Sequence, residues 1–476
     1  MKDTNKNFLY NLLYQVFIFI IPLITIPYVS RVLGADNIGI YSYTYSLINY
    51  FMLASMLGIN NYGSREIAKV CNNIEMRSKK FYSIYFLQLI CTCIMCILFF
   101  FFFFFIIKYD YKTILLIQFI YLLSCAFDIN WYFFGVEKFK ITISRNIIIK
   151  TLSLLFIFIF VKSKNDLWIY TLILASSTLI SQIYLWFFIK KEVIRVSVNR
   201  KDIFNHLSKC LVLFLPVVAY SIYRIMDKTM IGFFSNTFQL GNYENAEKII
   251  TIPLSIISAL GVVMLPHMSK TNNSDFDKKI TSTFELCFFM LFPIFIGLFI
   301  IADDFSIVFF GKEFVYASNL IRILLITIIF SGITNVVRNN YLIPKSKDKI
   351  YVTSTIYGAI VNFILNLIFI RKYGAYGACI GTISAEFIVM VYQVINTRKN
   401  INYKYIFFKV QPFLYKAIIM GAIVFLWNFI PFKSLLIKII VQILTAITVY
   451  FILNYKYIIY DFLGIKRKNK NNIELS

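Results

Sequence analysis

From Leu9 to Tyr460 the chain is a succession of apolar segments with hardly a polar stretch between them. Each is long enough to cross a bilayer, and about fourteen can be placed. A chain that is 59% hydrophobic and 18% aromatic, with mean hydropathy +0.73, could not keep so many such segments dry inside a water-soluble fold. In lipid each segment must close its own backbone hydrogen bonds, which restricts the choice to helices or a closed barrel. Uninterrupted apolar runs such as Leu98 to Ile107 lack the alternation of barrel strands. The fold class is therefore all-α and polytopic.

The pattern predicts helices over 9–29, 38–59, 82–107, 113–134, 141–161, 167–189, 209–233 and 243–268. It predicts six more over 284–302, 317–338, 350–370, 374–396, 413–431 and 435–460. Two of these are less apolar than the rest: 38–59 is rich in Tyr and Ser, and 243–268 contains Glu247, Lys248 and Pro253.

The net charge of +25, from 48 Lys and Arg against 23 Asp and Glu, is explained by topology and not by nucleic acid. With the N-terminus in the cytoplasm, about two thirds of the Lys and Arg fall on the cytoplasmic side and about a fifth outside. That asymmetry predicts both termini in the cytoplasm. Lys190-Lys191 and Lys466-Arg467-Lys468 add basic patches for anionic head groups on the inner leaflet. The loops are too short for a soluble catalytic domain. The first helix lacks an A-x-A-like cleavage site after it and reads as an uncleaved anchor.

Eight cysteines and two histidines form no zinc pattern, so no metal or organic cofactor is expected. Cys91, Cys93 and Cys96 cluster in an apolar helix, and His206 and His267 sit at cytoplasmic helix ends. Asp303-Asp304 resembles an acidic metal pair but caps an outward helix end, where a solvated terminus is expected. The run Phe99–Phe105 reads as lipid-facing filler.

The chain also repeats itself. Arg31-Val-Leu-Gly34-Ala-Asp36-Asn-Ile-Gly39-Ile-Tyr41 ends the first helix, and Asp227-Lys228-Thr-Met-Ile-Gly232 ends the seventh. Gly34 pairs with Gly232, Gly39 with Gly241, Tyr41 with Tyr243, and more weakly Gln182 with Glu386. Each half then holds six helices, an even number, so the halves are expected to be related by a two-fold axis along the membrane normal. The expected domains are 1–205 and 206–400, two pseudo-symmetric six-helix lobes, and 401–476, two appended helices with a basic tail. Two lobes across an axis suit alternating access, with the site in the cleft. Pro22, Pro27 and Pro216 can bend the helices facing it. Gly377 to Gly381, with Gly374, Ala378 and Ala385, is a small-xxx-small face for close packing.

Ionisable residues inside spans are costly and are the site candidates. Arg224 and Lys228 share a face of the seventh helix, with Asp227 placed to pair with Arg224. Glu244, Glu247 and Lys248 lie on the eighth. Glu386 lies near the middle of the twelfth, where a carboxylate could exchange H⁺ or bind Na⁺. Lys416 and Lys438 lie in the appended helices and are expected to snorkel. Surplus cations in a low-dielectric cleft suit an anionic substrate, phosphate above all.

These segments resemble one family. Pro27-Tyr-Val-Ser-Arg31-Val-Leu-Gly34-Ala-Asp36-Asn-Ile-Gly39-Ile-Tyr41-Ser, Asn61-Tyr-Gly63-Ser-Arg65-Glu66-Ile-Ala-Lys69, Asp227-Lys228 with Gly232, and Tyr373-Gly-Ala-Tyr-Gly377-Ala are similar to the Wzx-type polysaccharide flippases. These are O-antigen and capsule-repeat translocases of the multidrug/oligosaccharidyl-lipid/polysaccharide exporter superfamily. The resemblance covers nearly the whole chain. It implies an oligosaccharide on undecaprenyl pyrophosphate, moved from the inner to the outer leaflet of the cytoplasmic membrane, with the polysaccharide polymerase as a neighbouring machine. It also implies a cationic cavity formed by Arg31, Arg224, Lys228 and Lys248, with Asp227 as the acidic partner in the seventh-helix motif; Asp227 and Glu386 are the candidates for a coupling H⁺ or Na⁺. The rivals are a multidrug exporter of the same superfamily, which would want surplus acid, and a membrane polymerase, which would want a large outward loop.

Overall fold

The computed structural model describes residues 2–107, 109–269 and 273–462. Within it, side chains are described from Ile21 onward except at 212–213, 215–220, 222–223, 259–260, 262–275 and 460–462. The side chains of Pro216 and His267 and the tail Lys466-Arg467-Lys468 lie outside the described residues.

The described chain is helical, with no strand. In order it forms α1 (Lys2–Met56), α2 (Ile59–Ala68), α3 (Ile74–Phe105), α4 (Tyr109–Phe127), α5 (Asn130–Gly135) and α6 (Phe139–Phe160). There follow α7 (Leu167–Ile189), α8 (Arg200–Phe204), α9 (Leu207–Phe234), α10 (Thr237–Ser269), α11 (Asn273–Phe309) and α12 (Val315–Leu324). The chain ends with α13 (Ile326–Val337), α14 (Asp348–Tyr373), α15 (Ala375–Thr397), α16 (Tyr403–Leu426) and α17 (Leu435–Leu453). Among the described residues nine helices are long and apolar enough to span a membrane. The pair α12–α13, bent by 46° at its break, makes a tenth if counted as one span. The sequence expectation of about fourteen is not established by this count. The four remaining stretches lie in α1, α9 and α10. Each of these three helices includes residues whose side chains lie outside the described ones.

Helix α1 is continuous where two spans were expected, but it is broken at Gly34, whose φ of 77° and ψ of 174° are not helical. A side chain with a Cβ is strained there, and glycine is not. The break falls between the expected spans 9–29 and 38–59.

By packing, the chain forms two units, Met1–Asn245 with Thr355–Ala385 and Ala246–Ser354 with Glu386–Ser476. In the first, α1 packs against α3, α4, α6 and α9, and α4 against α7. The short α2 lies on α5. A Cβ on Gly63 would sit 2.6 Å from the Trp131 ring, so the Asn61–Lys69 motif needs glycine for this contact. At the same end, buried Glu66 accepts from Lys69 (2.7 Å) and Lys80 (2.6 Å). His206, expected at a helix end, is buried there between Tyr62 (2.6 Å) and Ser83 (2.9 Å).

In the second unit α11 packs along α16 and also contacts α12, α13 and α17. Two expectations are corrected here. Asp303, though exposed as expected, does not end the helix, and neither does Asp304, because α11 continues to Phe309. Asp303 is held by both terminal nitrogens of Arg322 and by Ser318. Lys438 does not snorkel freely: it pairs with Asp304 at 2.6 Å and ties α17 to α11. Lys416 likewise donates to Asn454 at 3.1 Å.

Candidate functional site

The first unit brings the two repeat motifs together. A Cβ on Gly39 would lie 1.8 Å from the Thr237 carbonyl oxygen, and one on Gly241 would lie 1.9 Å from that of Ala35. Each motif's glycine thus admits the other's backbone. Contacts along the crossing follow from it. Thr237 donates to Asp36 (2.9 Å), Ser42 to Glu244 (2.8 Å) and Asn245 to Ser30 (2.8 Å).

Beside this crossing stands Asp227 on α9, 5% exposed. The expected pairing with Arg224 is not what occupies its carboxylate. Oδ1 accepts from the Asn366 amide (2.6 Å), and Oδ2 accepts from the Tyr243 (2.8 Å) and Thr382 (2.5 Å) hydroxyls. Asn366 also donates to Asn362 (3.0 Å). Gly381 leaves room for the Asn366 side chain, whose Oδ1 would lie 2.2 Å from a Cβ there. The small-residue face of α15 therefore brings α14 close enough to complete the cage. A buried carboxylate is tolerable only with such hydrogen bonds. Four oxygen-bearing side chains around one negative charge can exchange a proton or ligate a hard cation.

One residue on, Lys228 makes an ion pair with Glu244 at 2.7 Å, the oxygen that Ser42 also binds. The cation is therefore balanced in this structure. Arg31 and Arg224 are exposed residues of the same unit. Lys248, half-buried, and Glu386 belong to the second unit. Glu386 accepts from Ser331 at 2.7 Å.

Sequence reasoning missed Asn362, Asn366, Thr382 and Arg145. Asn362 and Asn366 are four apart on one face of an otherwise apolar helix, which was a readable signal. Arg145 is 3% exposed. Its guanidinium donates to the Ser181 carbonyl (3.1 Å), Asn130 (3.0 Å) and Gln182 (3.4 Å). Gln182, the repeat partner of Glu386, is thus a neutral acceptor for a buried cation.

Two family models each match more than half of the chain. The first is described as polysaccharide biosynthesis protein and matches residues 4–272; the second, lipid II flippase MurJ, matches residues 145–449. A putative O-antigen transporter of Shigella dysenteriae is 22% identical over 79% of this chain and 95% of its own. One of Escherichia coli K12 is 24% identical over 56% of this chain and 67% of its own. A solved lipid II flippase MurJ, in an inward-closed conformation, has the same fold. It aligns with TM-score 0.72 and 20% identity, covering 96% of this chain and 100% of that one. An inward-facing multidrug MATE transporter aligns with TM-score 0.56 and 13% identity, over 81% of this chain and 98% of its own. The chain belongs to the polysaccharide biosynthesis protein family, as a Wzx-type membrane flippase of the multidrug/oligosaccharidyl-lipid/polysaccharide exporter superfamily.

Proposed function

We propose that this flippase moves undecaprenyl-pyrophosphate-linked oligosaccharide repeat units from the inner to the outer leaflet for O-antigen or capsular polysaccharide synthesis. It does so as a transporter and not as an enzyme, in the cytoplasmic membrane with both termini in the cytoplasm. The lobes 1–205 and 206–400 alternate access, and 401–476 is an appendage. The repeat units pass on to polymerase machinery.

The observation that carries this reading is the Lys228–Glu244 pair, set one residue from the caged Asp227. An uncompensated cation in a span is costly, so an empty transporter needs an internal anion. A pyrophosphate outbids a carboxylate for Lys228 because it offers more charge and more acceptors. It would displace Glu244, with Arg31, Arg224 and Lys248 as further ligands. Arg31, Arg224 and Lys228 as ligands suit an anion better than the organic cations of a multidrug exporter. Coupling falls to Asp227, whose Tyr243, Thr382 and Asn366 partners can be traded for a proton or a Na⁺ ion, and to Glu386 in the second unit.

The test is complementation of a host lacking its own flippase for a defined repeat unit. Lys228→Gln should reach the membrane at wild-type level, lose surface glycan and accumulate lipid-linked oligosaccharide inside. Normal glycan display by a Lys228→Gln, Arg224→Gln double variant would overturn the reading.

A further inference from the structure

The second unit contains a small cavity of about 60 Å³ between α10, α11 and α13, lined by Gly261, Ser282, Thr283, Leu286, Cys287 and Asn335 among others. That is room for a few water molecules, and Ser282, Thr283 and Asn335 supply the polar partners water needs. Asn335 also belongs to a polar stripe along one face of α13. Its amide donates to the Ser331 carbonyl (2.9 Å), and its Oδ1 accepts from Ser258 (3.0 Å) and Arg338 (3.1 Å). One turn away, about 6 Å along the helix, Ser331 donates to Glu386 (2.7 Å).

Beyond Asn335, α13 passes into a π-helical turn at Arg338–Leu342, a geometry frequent at functional sites. Asn340 is fully buried there, and among the described residues neither of its amide atoms, nor the Asn339 Nδ2, has a protein partner. Buried amides of this kind are satisfied by ordered water. The cavity thus joins the stripe that ends at Glu386 through Asn335, and its wall residue Gly261 lies against the Asn339 side chain, 2.4 Å from a Cβ placed there. Arg338, stacked 5.4 Å from the Tyr351 ring centroid, is the charged group at its other end.

We propose that this stripe and cavity form a hydrated access route to Glu386, along which the coupling ion or proton enters through the packed interior of the second unit. Asn335 is its positioning residue: it holds Ser331 on one side and faces the water on the other. The inference rests on Glu386 being a coupling residue, and the experiment separates the two.

Radiolytic hydroxyl-radical labelling of the wild-type protein in proteoliposomes reads the water itself. Cys287, only 2% exposed, should be oxidised at a rate at least tenfold above the buried Cys379 of the first unit. Asn335→Leu, which fills the cavity and removes the amide, should cut Cys287 labelling to the Cys379 level and slow gradient-driven flipping at least tenfold. The milder Thr283→Val should lower labelling and leave the protein folded. Unlabelled Cys287 in the wild type would overturn the route whatever Glu386 does. Equal flipping by Glu386→Gln and wild type, with Cys287 labelled, would instead overturn only the coupling role.

Discussion

Thr382 reaches back across 155 residues of sequence to donate to Asp227 at 2.5 Å, sharing Oδ2 with Tyr243. The carboxylate is held by helices α9, α10, α14 and α15 at once. Hydrogen bonds to a charged group contribute about 1.5–3 kcal/mol each. Thr382→Ala should therefore weaken the cage and lower ion-driven flipping at least tenfold, with Thr382→Ser recovering most of it. Flipping rates in proteoliposomes containing the two variants check this.

Glu244 is the internal counter-ion of Lys228. Glu244→Gln should leave Lys228 more available to pyrophosphate, so the lipid-linked substrate should bind more tightly while its release slows. Both the apparent KM and the turnover rate should fall. A raised KM would show that Glu244 helps to bind the substrate directly.

The glycine crossing predicts a packing effect. Ala at 39 or 241 puts a methyl group onto a backbone carbonyl less than 2 Å away. Overpacking of this kind costs about 2 kcal/mol. Each variant should melt at lower temperature in detergent, whereas Gly297→Ala, with nothing within 4 Å of its Cβ, should melt as wild type.

Acid stability should depend on the cluster at the other end of the first unit. Burial holds His206 down to about 4 from 6.5, with Lys80 assisting. The unfolded chain then binds a proton that the folded chain refuses, so stability is present above pH 6.5 and is lost as pH falls towards 4. Glu66 is pushed up by burial, but hydrogen bonds from Lys69 and Lys80 outweigh this and hold it at about 2 against 4.5. Its contribution is lost below pH 4.5, in the same direction. His206→Gln should flatten the melting temperature between pH 6.5 and 4 and leave the steeper fall below it.

Topology is tested with phosphatase fusions. One after Arg200 should be inactive, and one after Gly311, where α11 ends in a turn with φ of 107°, should be active outside. An active fusion at Arg200 would reverse the orientation.

Much of this was legible in the sequence because membrane helices announce themselves locally. The apolar runs, and the gap between 29 and 38 in which Gly34 breaks α1, each depend on a few contiguous residues. Asp227 was legible as a costly charge, but its partners were not. Arg224, one turn away, was the near choice, whereas Thr382 and Asn366 arrive only through the packing of α14 and α15. Arg145 escaped because it stands at the margin of an apolar run, where a solvated side chain is the ordinary outcome. The ties of Lys438 to Asp304 and Lys416 to Asn454 were hidden for the same reason, since each joins residues far apart in the chain.

We assign the coupling of an ion to the movement of a lipid-linked anion to the caged carboxylate of Asp227. It is tested most directly in proteoliposomes loaded with the lipid-linked repeat unit, by comparing wild type with Asp227→Asn under an imposed pH or Na⁺ gradient. The amide keeps the shape of the side chain and removes its charge. The gradient should accelerate flipping at least tenfold in wild type and leave Asp227→Asn at its ungraded rate, with both proteins equally folded. Equal acceleration in the two would contradict coupling through Asp227.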